Sequence, residues 1–147
     1  MKVKEIIRLI ENEMEKVLVI IEKSSAGYSA YIPELPGCVS TGSSLDKVKD
    51  NISEAISFHL DGMKQDNLTI PRMFSGNIIL QFTFDVETFL NHYDQIFTRR
   101  ALSRITGVNE SLLSQYASGL KHPRKAQAKR IEKGLHELAN ELLQISL

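Results

Sequence analysis

Two short helical patterns, each followed by a glycine, lie close together in the C-terminal part of the sequence. The first covers Arg99 to Thr106 and stops at Gly107, because glycine adopts left-handed backbone angles at little cost. The second covers Glu110 to Ser118 and stops at Gly119. Only residues 107–109 separate the two patterns. A connection this tight between two helices predicts a helix-turn-helix.

Polar side chains stand where both helices should begin. Thr98 and Asn109 are residue types that cap helix N-termini well. Within the second helix, Leu113 and Tyr116 have the spacing of an inward face. In a helix-turn-helix, the second helix enters the major groove of DNA and its N-terminal residues meet base edges. We therefore expect residues from about Thr98 to Pro123 to bind double-stranded DNA.

The charge distribution supports this expectation. The whole chain is neutral, with 18 Lys and Arg against 18 Asp and Glu. The window 99–133, however, has two acidic residues, Glu110 and Glu132, against nine basic ones, which gives +7 there and −7 elsewhere. The basic residues are Arg99, Arg100, Arg104, Lys121, Arg124, Lys125, Lys129, Arg130 and Lys133. Such asymmetry favours one module for a polyanion and another for a different partner.

The N-terminal part of the sequence mixes helical and strand patterns. We predict, in order, a helix from Lys2 to about Glu15, strands at 17–22, 28–32 and 38–41, a helix from Leu45 to about Met63, and a strand at 78–84. The first two strands should form a hairpin, and the segment Pro33–Gly37 should form a fixed turn. Ser43 or Ser44 can cap the second helix. The first helix is amphipathic and is expected to pack on the domain that follows it.

After Asp85 the pattern becomes purely helical. Phe89, Tyr93 and either Ile96 or Phe97 form one apolar face, and a last helix runs from about Lys125 to Leu143. The fold class is therefore α+β, a β-β-β-α-β domain followed by an all-α domain. The expected divisions are an N-terminal helical extension at 1–15, a first domain at 16–86 and a second at 87–147.

Several functional classes receive no support from the residues. The apolar runs are far shorter than the roughly 20 residues that a membrane helix needs, and no signal peptide can be drawn, so we expect a cytoplasmic protein without membrane contact. The single cysteine, Cys38, is expected to be a buried small hydrophobe. Paired carboxylates, a phosphate-binding loop and a serine–histidine pair are not evident. We therefore expect no enzymatic activity, no cofactor and no metal.

The segment Arg100–Pro123 resembles the repressor-type helix-turn-helix domains of phage repressors and their bacterial relatives. It contains a leucine near a small residue, then Gly107-Val108, a hydroxyl-rich second helix, Gly119 and finally a proline, at the spacing of that family. The alternative is that this unit only packs, with its basic residues forming a solvated face.

The resemblance implies two sets of DNA contacts. The residues that would face the bases are Glu110, Ser111, Ser114 and Gln115. Gln115 can make two bonds to an adenine edge and Glu110 can accept from cytosine. Glu110 could instead stabilise the positive end of its own helix. The residues suited to phosphates are Thr98, Arg99, Arg100, Ser118, Lys121 and Arg124.

The run Gly27–Leu45 resembles the HicB family of antitoxins, and the likeness continues at Val48, Asn51, Ile52 and Ala55. Leu68–Pro71 is similar to the loop before the last strand of that family. The resemblance implies a partial ribonuclease H-like fold without nuclease activity, which is often followed by a DNA-binding domain. The extension at 1–15 is not part of the family pattern, and it receives no role.

Together the two resemblances imply a type II antitoxin. Such a protein would bind and neutralise a HicA-like, mRNA-cleaving toxin and repress its own operon at operator DNA. The acidic remainder of the chain would suit a basic toxin. One helix-turn-helix makes few base contacts, so a homodimer or tetramer is expected, self-associating through the last helix or the sheet edge. The competing readings are a ligand-sensing transcriptional regulator and an active nuclease.

Overall fold

The computed structural model of the protein describes residues 2–147, without the side chains of residues 11 and 12. The chain forms two compact units, one that ends at Phe84 and one that spans Asp85–Leu147. Among the described residues, no helix is both long and apolar enough to cross a membrane.

The first unit combines two helices with a four-stranded sheet. Its elements are α1 (Val3–Glu13), β1 (Glu15–Ser24), β2 (Gly27–Tyr31), β3 (Val39–Gly42), α2 (Leu45–Gln65), a short 3-10 helix (Arg72–Phe74) and β4 (Ile78–Thr83). The strand order is β3-β2-β1-β4, with β1 antiparallel to β2 and parallel to β4. The predicted order of helices and strands is confirmed, as is the hairpin. The 3-10 helix was not predicted.

One face of the sheet is covered by α2. Ser44, one of the two predicted capping residues, precedes this helix, and its Oγ accepts a hydrogen bond from the backbone N–H of Lys47 at 3.1 Å. Four buried residues on one side of α2 pack in the same core as Val17, Val19 and Ile21 of β1. These helix residues are Leu45, Val48, Ile52 and Ile56. Cys38 is buried in this core, as expected.

The opposite face of the sheet carries apolar side chains as well. Ile20 of β1 lies directly opposite Tyr31 of β2, which in turn lies opposite Val39 of β3. Because side chains alternate along a strand, this row points away from the α2 core. We call this surface the open face. Its apolar residues are Leu18, Ile20, Tyr31, Val39 and Ile79, and its polar residues are Lys16, Glu22, Ser29, Thr41, Gln81 and Thr83.

The expectation that α1 packs on the following domain is wrong. Its apolar residues Val3, Ile6, Ile7, Leu9 and Ile10 are 41–71% exposed. Only Met14 separates the end of α1 from the start of β1. The amphipathic pattern therefore predicts the helix correctly. Because the link is so short, the apolar side of α1 has no contact surface within its own unit.

The second unit consists of four helices. They are α3 (Val86–His92), α4 (Arg99–Thr106), α5 (Glu110–Ala117) and α6 (Lys125–Leu142). Helix α3 packs on α5, and α4 packs on both α5 and α6. The buried core comprises Leu90, Leu102, Val108, Leu113, Tyr116 and Ile131. The predicted inward positions Leu113 and Tyr116 are confirmed, and Phe97 rather than Ile96 packs against this core.

Candidate nucleic-acid interface

The connection between α4 and α5 is fixed by local hydrogen bonds. Gly107 has φ +71°, the left-handed conformation expected at the end of α4. The hydroxyl of Thr106 donates to the carbonyl of Leu102 at 2.7 Å and accepts from the backbone N–H of Val108 at 3.2 Å. Both Thr106 and Val108 are buried. The direction in which α5 leaves α4 is therefore set by the turn itself.

Both helices are capped as the sequence predicts. The hydroxyl of Thr98 accepts from the N–H of Ala101 at 3.0 Å, and Oδ1 of Asn109 accepts from the N–H of Ser111 at 2.8 Å. These bonds satisfy N–H groups that have no partner inside a helix. Glu110, in the first turn of α5, lies where a negative charge stabilises the helix.

Helix α6 approaches α4 closely, because it carries a glycine at the point of contact. A Cβ atom at Gly134 would lie 2.7 Å from the carbonyl oxygen of Ile105. Nearby, a Cβ at Gly107 would lie 2.8 Å from Nη2 of Arg130, so the guanidinium group of this α6 residue lies over the turn. Arg130, which is one of the basic residues of the 99–133 window, therefore lies beside the α4–α5 connection.

The four residues predicted to face bases lie on α5 but differ in exposure. Glu110, Ser111 and Ser114 are exposed, whereas Gln115 is half-buried. Within the described part of the chain, Oε1 of Gln115 is buried and has no hydrogen-bond partner. In this conformation Gln115 cannot present both its amide oxygen and its amide nitrogen to an adenine. A rotation of the side chain would be needed for the expected contact.

The residues predicted to contact phosphates fall into two groups along the chain. Thr98, Arg99 and Arg100 lie at the N-terminus of α4, and Ser118, Lys121 and Arg124 lie between the end of α5 and the start of α6. All are exposed except Arg99, which is half-buried.

Two members of these groups also make bonds within the protein. Nη1 of Arg99 donates to the carbonyl of Leu90 at 3.4 Å. The hydroxyl of Ser118 donates to the carbonyl of Gln115 at 3.1 Å and accepts from the N–H of Leu120 at 3.4 Å. Both side chains therefore have a structural role, Arg99 at the start of α4 and Ser118 directly after α5.

The division of charge between the two units is smaller than the window 99–133 suggested. Residues 1–84 have 9 basic and 11 acidic residues, and residues 85–147 have 9 basic and 7 acidic residues. The difference arises because Asp85, Glu87, Asp94, Glu137 and Glu141 belong to the second unit. The N-terminal half that was expected to be acidic therefore has a net charge of only −2.

Positive charge near α4 and α5 is less neutralised than that on α6. On α6, Lys129 pairs with Glu132 at 2.9 Å and Lys133 with Glu137 at 3.8 Å, and all four side chains are largely exposed. For Arg100, by contrast, the described residues supply no ion pair. The guanidinium group of Arg100, at the start of α4, is therefore more available to a polyanion than the paired lysines of α6.

Sequence reasoning missed two contacts, one that caps α3 and one that joins α3 to α5. Asp85 caps α3 by accepting from the N–H of Thr88 at 2.8 Å, and Asn91 at the other end of α3 donates to the carbonyl of Ala117 at 2.9 Å. The aspartate before Val86 was a readable capping signal. The bond from Asn91 spans 26 residues, and no local pattern could indicate it.

Comparison with known proteins identifies the first unit. Residues 17–83 match the family described as the HicB-like antitoxin of bacterial toxin-antitoxin systems. This match covers the sheet and α2 and ends where the helical unit begins.

Individual relatives cover similar lengths. A 14.9 kDa protein from the rep-hol intergenic region of Haemophilus phage HP1 is 43% identical over 54 residues, which are 37% of this chain and 41% of the phage protein. A UPF0150 protein of Helicobacter pylori is 45% identical over 49 residues, 33% of this chain and 68% of that protein. A UPF0150 protein of Thermoplasma acidophilum is 40% identical over 58 residues, 39% of this chain and 84% of its own length. Residues 17–83 therefore form a HicB-like antitoxin domain, and the chain belongs to the family of UPF0150 proteins.

Proposed function

We propose that this protein is the antitoxin of a type II toxin-antitoxin system, which neutralises a HicA-like, mRNA-cleaving toxin and represses its own operon. The observation that carries the proposal is the family match over residues 17–83, in a chain that continues into a four-helix unit with a capped α4–α5 pair. The first unit would bind the toxin, and the second would bind operator DNA as a helix-turn-helix.

The DNA-binding part is supported by the geometry of α4 and α5. The left-handed Gly107 and the buried Val108 fix the angle between the helices. The N-terminal half of α5 is exposed at Glu110, Ser111 and Ser114. In proteins of this kind, those positions read base edges, while basic residues at helix ends hold phosphates. The exposed cation at Arg100 suits the second task.

The toxin-binding part is supported by the family rather than by charge. A net charge of −2 over residues 1–84 offers little attraction to a basic partner. We assign the first unit no enzymatic activity, in keeping with the partial ribonuclease H-like fold without nuclease activity that the HicB resemblance implies. RNA cleavage by the purified protein that a point substitution abolishes would contradict this assignment.

The toxin claim is tested by co-expression. The partner is the product of a short reading frame next to the gene of this protein. Expressed alone it should stop growth, and expressed with the full chain it should be tolerated and co-purify with it. Failure of the full chain to rescue growth or to co-purify would remove the antitoxin claim and leave the DNA-binding claim standing.

The DNA claim is tested with the region upstream of the same gene. The full chain should bind this DNA more tightly than a scrambled duplex, and the affinity should fall with salt. A double variant, Arg100→Ala with Lys121→Ala, should weaken binding to both duplexes. The matched control, Lys129→Ala with Lys133→Ala, also removes two charges, but on α6. Equal losses in both double variants would contradict the assignment of phosphate contacts.

We also propose that the protein binds DNA as a homodimer or tetramer. A single α5 reaches few bases, and two copies would occupy half-sites about 34–36 Å apart or a multiple of that distance. A nuclease footprint should then show two protected half-sites related by inverted symmetry.

A further inference from the structure

The first unit has two apolar surfaces that no element of the unit covers. One is the open face of the sheet, and the other is one side of α1. Helix α2 packs on β2 and β3 from the core side, and within the described residues of this unit no helix packs on the open face. Within the first unit, neither surface is therefore fully covered. Val39 is exposed, and Leu18, Ile20, Tyr31 and Ile79 are half-buried.

The open face carries an apolar row, formed by Ile20, Tyr31 and Val39, among polar residues. Antiparallel sheets with one wet face alternate between inward apolar and outward polar residues. Strand β1 breaks this rule, because Val17, Val19 and Ile21 are buried in the core while Leu18 and Ile20 point the other way. Val39, at the end of the same row of side chains, is 66% exposed.

Most of the apolar residues of α1 form a narrow stripe along one side of the helix. Val3, Ile6, Ile7 and Ile10 fall within an arc of about 100° on a helix with 3.6 residues per turn. Leu9 lies outside this arc, although its exposure equals that of Ile10, at 52%. We call the four-residue arc the α1 stripe.

The α1 stripe cannot reach the open face of its own sheet. Only Met14, in an extended conformation, links α1 to β1. Reversing the chain so that a helix lies back on its neighbouring strand ordinarily takes about 2–6 residues. The helix of a second copy has no such restriction.

The dimensions of the two surfaces agree. A helix of 11 residues is about 16 Å long at 1.5 Å per residue. Four strands spaced about 4.8 Å apart are about 14 Å across from β3 to β4. The α1 stripe, which is about 10 Å long from Val3 to Ile10, can therefore span three of the four strands.

We propose that α1 of one copy lies across the open face of a second copy, with the reciprocal contact completing a two-fold dimer. Reciprocity doubles the area that a single short helix would bury, and stable interfaces need about 1,200–2,000 Å² in total. An isologous arrangement of this kind also closes, so it produces a dimer and not a filament.

Matched substitutions in the full chain test the proposal by sedimentation velocity. Ile10→Lys, in the α1 stripe, and Val39→Lys, in the open face, should each weaken self-association at least tenfold. Leu9→Lys introduces the same side chain at an equally exposed position and should leave self-association unchanged. Equal association states for wild type, Ile10→Lys and Leu9→Lys would overturn the proposal.

Cross-linking identifies the contact even if the second unit also self-associates. One copy carries Thr41→Cys, at the β3 end of the open face, and the other carries Val3→Cys or Ile10→Cys, at the two ends of the α1 stripe. The native Cys38 is buried and should not react. On oxidation, one of the two pairs should form a mixed disulfide between copies. Links only between two α1 helices, or none, would overturn the proposal.

A toxin on the same surface gives a different result. In that case, Ile10→Lys would keep the mass of the wild type but lose the co-purified toxin. This outcome would refute the dimer contact without touching the antitoxin function.

Discussion

The side chain of Asn91 on α3 donates a hydrogen bond to the carbonyl oxygen of Ala117, the last residue of α5, at 2.9 Å. The same amide nitrogen donates to the carbonyl of Glu87 at 2.9 Å. Carbonyl groups in the last turn of a helix lack partners within that helix. Asn91 supplies one from a neighbouring helix, so α3 fixes the end of α5.

Replacing Asn91 by alanine should therefore destabilise the second unit. We expect Asn91→Ala to lower the free energy of unfolding by about 1 kcal/mol, the net value of a typical hydrogen bond. Urea denaturation of the full chain measures this. Asn140→Ala, an exposed change on α6, carries the same gain in helix propensity and serves as control. A loss no greater than that of the control would contradict the structural role of Asn91.

A pair of glycines gives opposite expectations for the same substitution. Gly134→Ala should lower stability by about 1–3 kcal/mol, because the added Cβ would lie 2.7 Å from the carbonyl oxygen of Ile105 and force α4 and α6 apart. Gly62→Ala on α2 has open space around its Cβ and should raise stability by about 0.5–1 kcal/mol. Thermal unfolding of both variants checks the signs. Stabilisation by Gly134→Ala would show that the helix contact is loose.

Sequence reasoning succeeded where local chemistry determines the structure. The caps at Ser44, Thr98 and Asn109 and the left-handed Gly107 follow from single residue types, and the structure confirms them. The inward faces of α2 and α5 follow from periodicity. These signals also predict the α+β class and the order of the elements.

Sequence reasoning failed where a contact joins distant parts of the chain. The amphipathic pattern of α1 predicts an apolar stripe but not which surface covers it. The close approach of α6 to α4 at Gly134 depends on three-dimensional packing, although a glycine inside a helix was a hint. The inward turn of the Gln115 amide depends on its rotamer, which no sequence pattern specifies.

Replacing Gln115 should change protein stability and DNA recognition in opposite directions. A buried carbonyl oxygen without a partner costs about 1–3 kcal/mol, so Gln115→Leu should stabilise the second unit, while removing the side chain proposed to contact adenine. Discrimination against a single base-pair change in the operator should fall by about 1–3 kcal/mol. Denaturation and competition binding measure the two effects. Unchanged discrimination would leave Gln115 with a packing role only.

Arg99 should contribute to DNA binding without reading sequence. We expect Arg99→Ala to weaken binding to all duplexes and to reduce the slope of log affinity against log salt by about one unit. Loss of its bond to the carbonyl of Leu90 should also cost about 1 kcal/mol of stability. Lys133→Ala, which removes a paired charge on α6, is the control and should keep the slope. An unchanged slope for Arg99→Ala would remove it from the phosphate contacts.

Burial raises the pKa of the Cys38 thiol. Because the folded pKa lies above the unfolded one, this contribution to stability is complete below the unfolded pKa, about 8.5, and is lost as the pH rises toward the folded value. Wild-type stability should therefore decline above about pH 8.5 relative to Cys38→Ala. At pH 8 a thiol reagent should modify Cys38 slowly and an added Thr41→Cys quickly. Parallel stability curves for the two proteins would contradict this prediction.

The hydrogen bond from Asn51 to the carbonyl of Thr41, at 2.8 Å, has a consequence for how the sheet meets other chains. Strand β3 is an edge strand of four residues, and α2 already occupies one of its few carbonyl acceptors. Unpaired edges invite the stacking of strand on strand that leads to aggregates, and short, partly blocked edges resist it. The β3 edge should therefore resist pairing with the edge strands of other molecules.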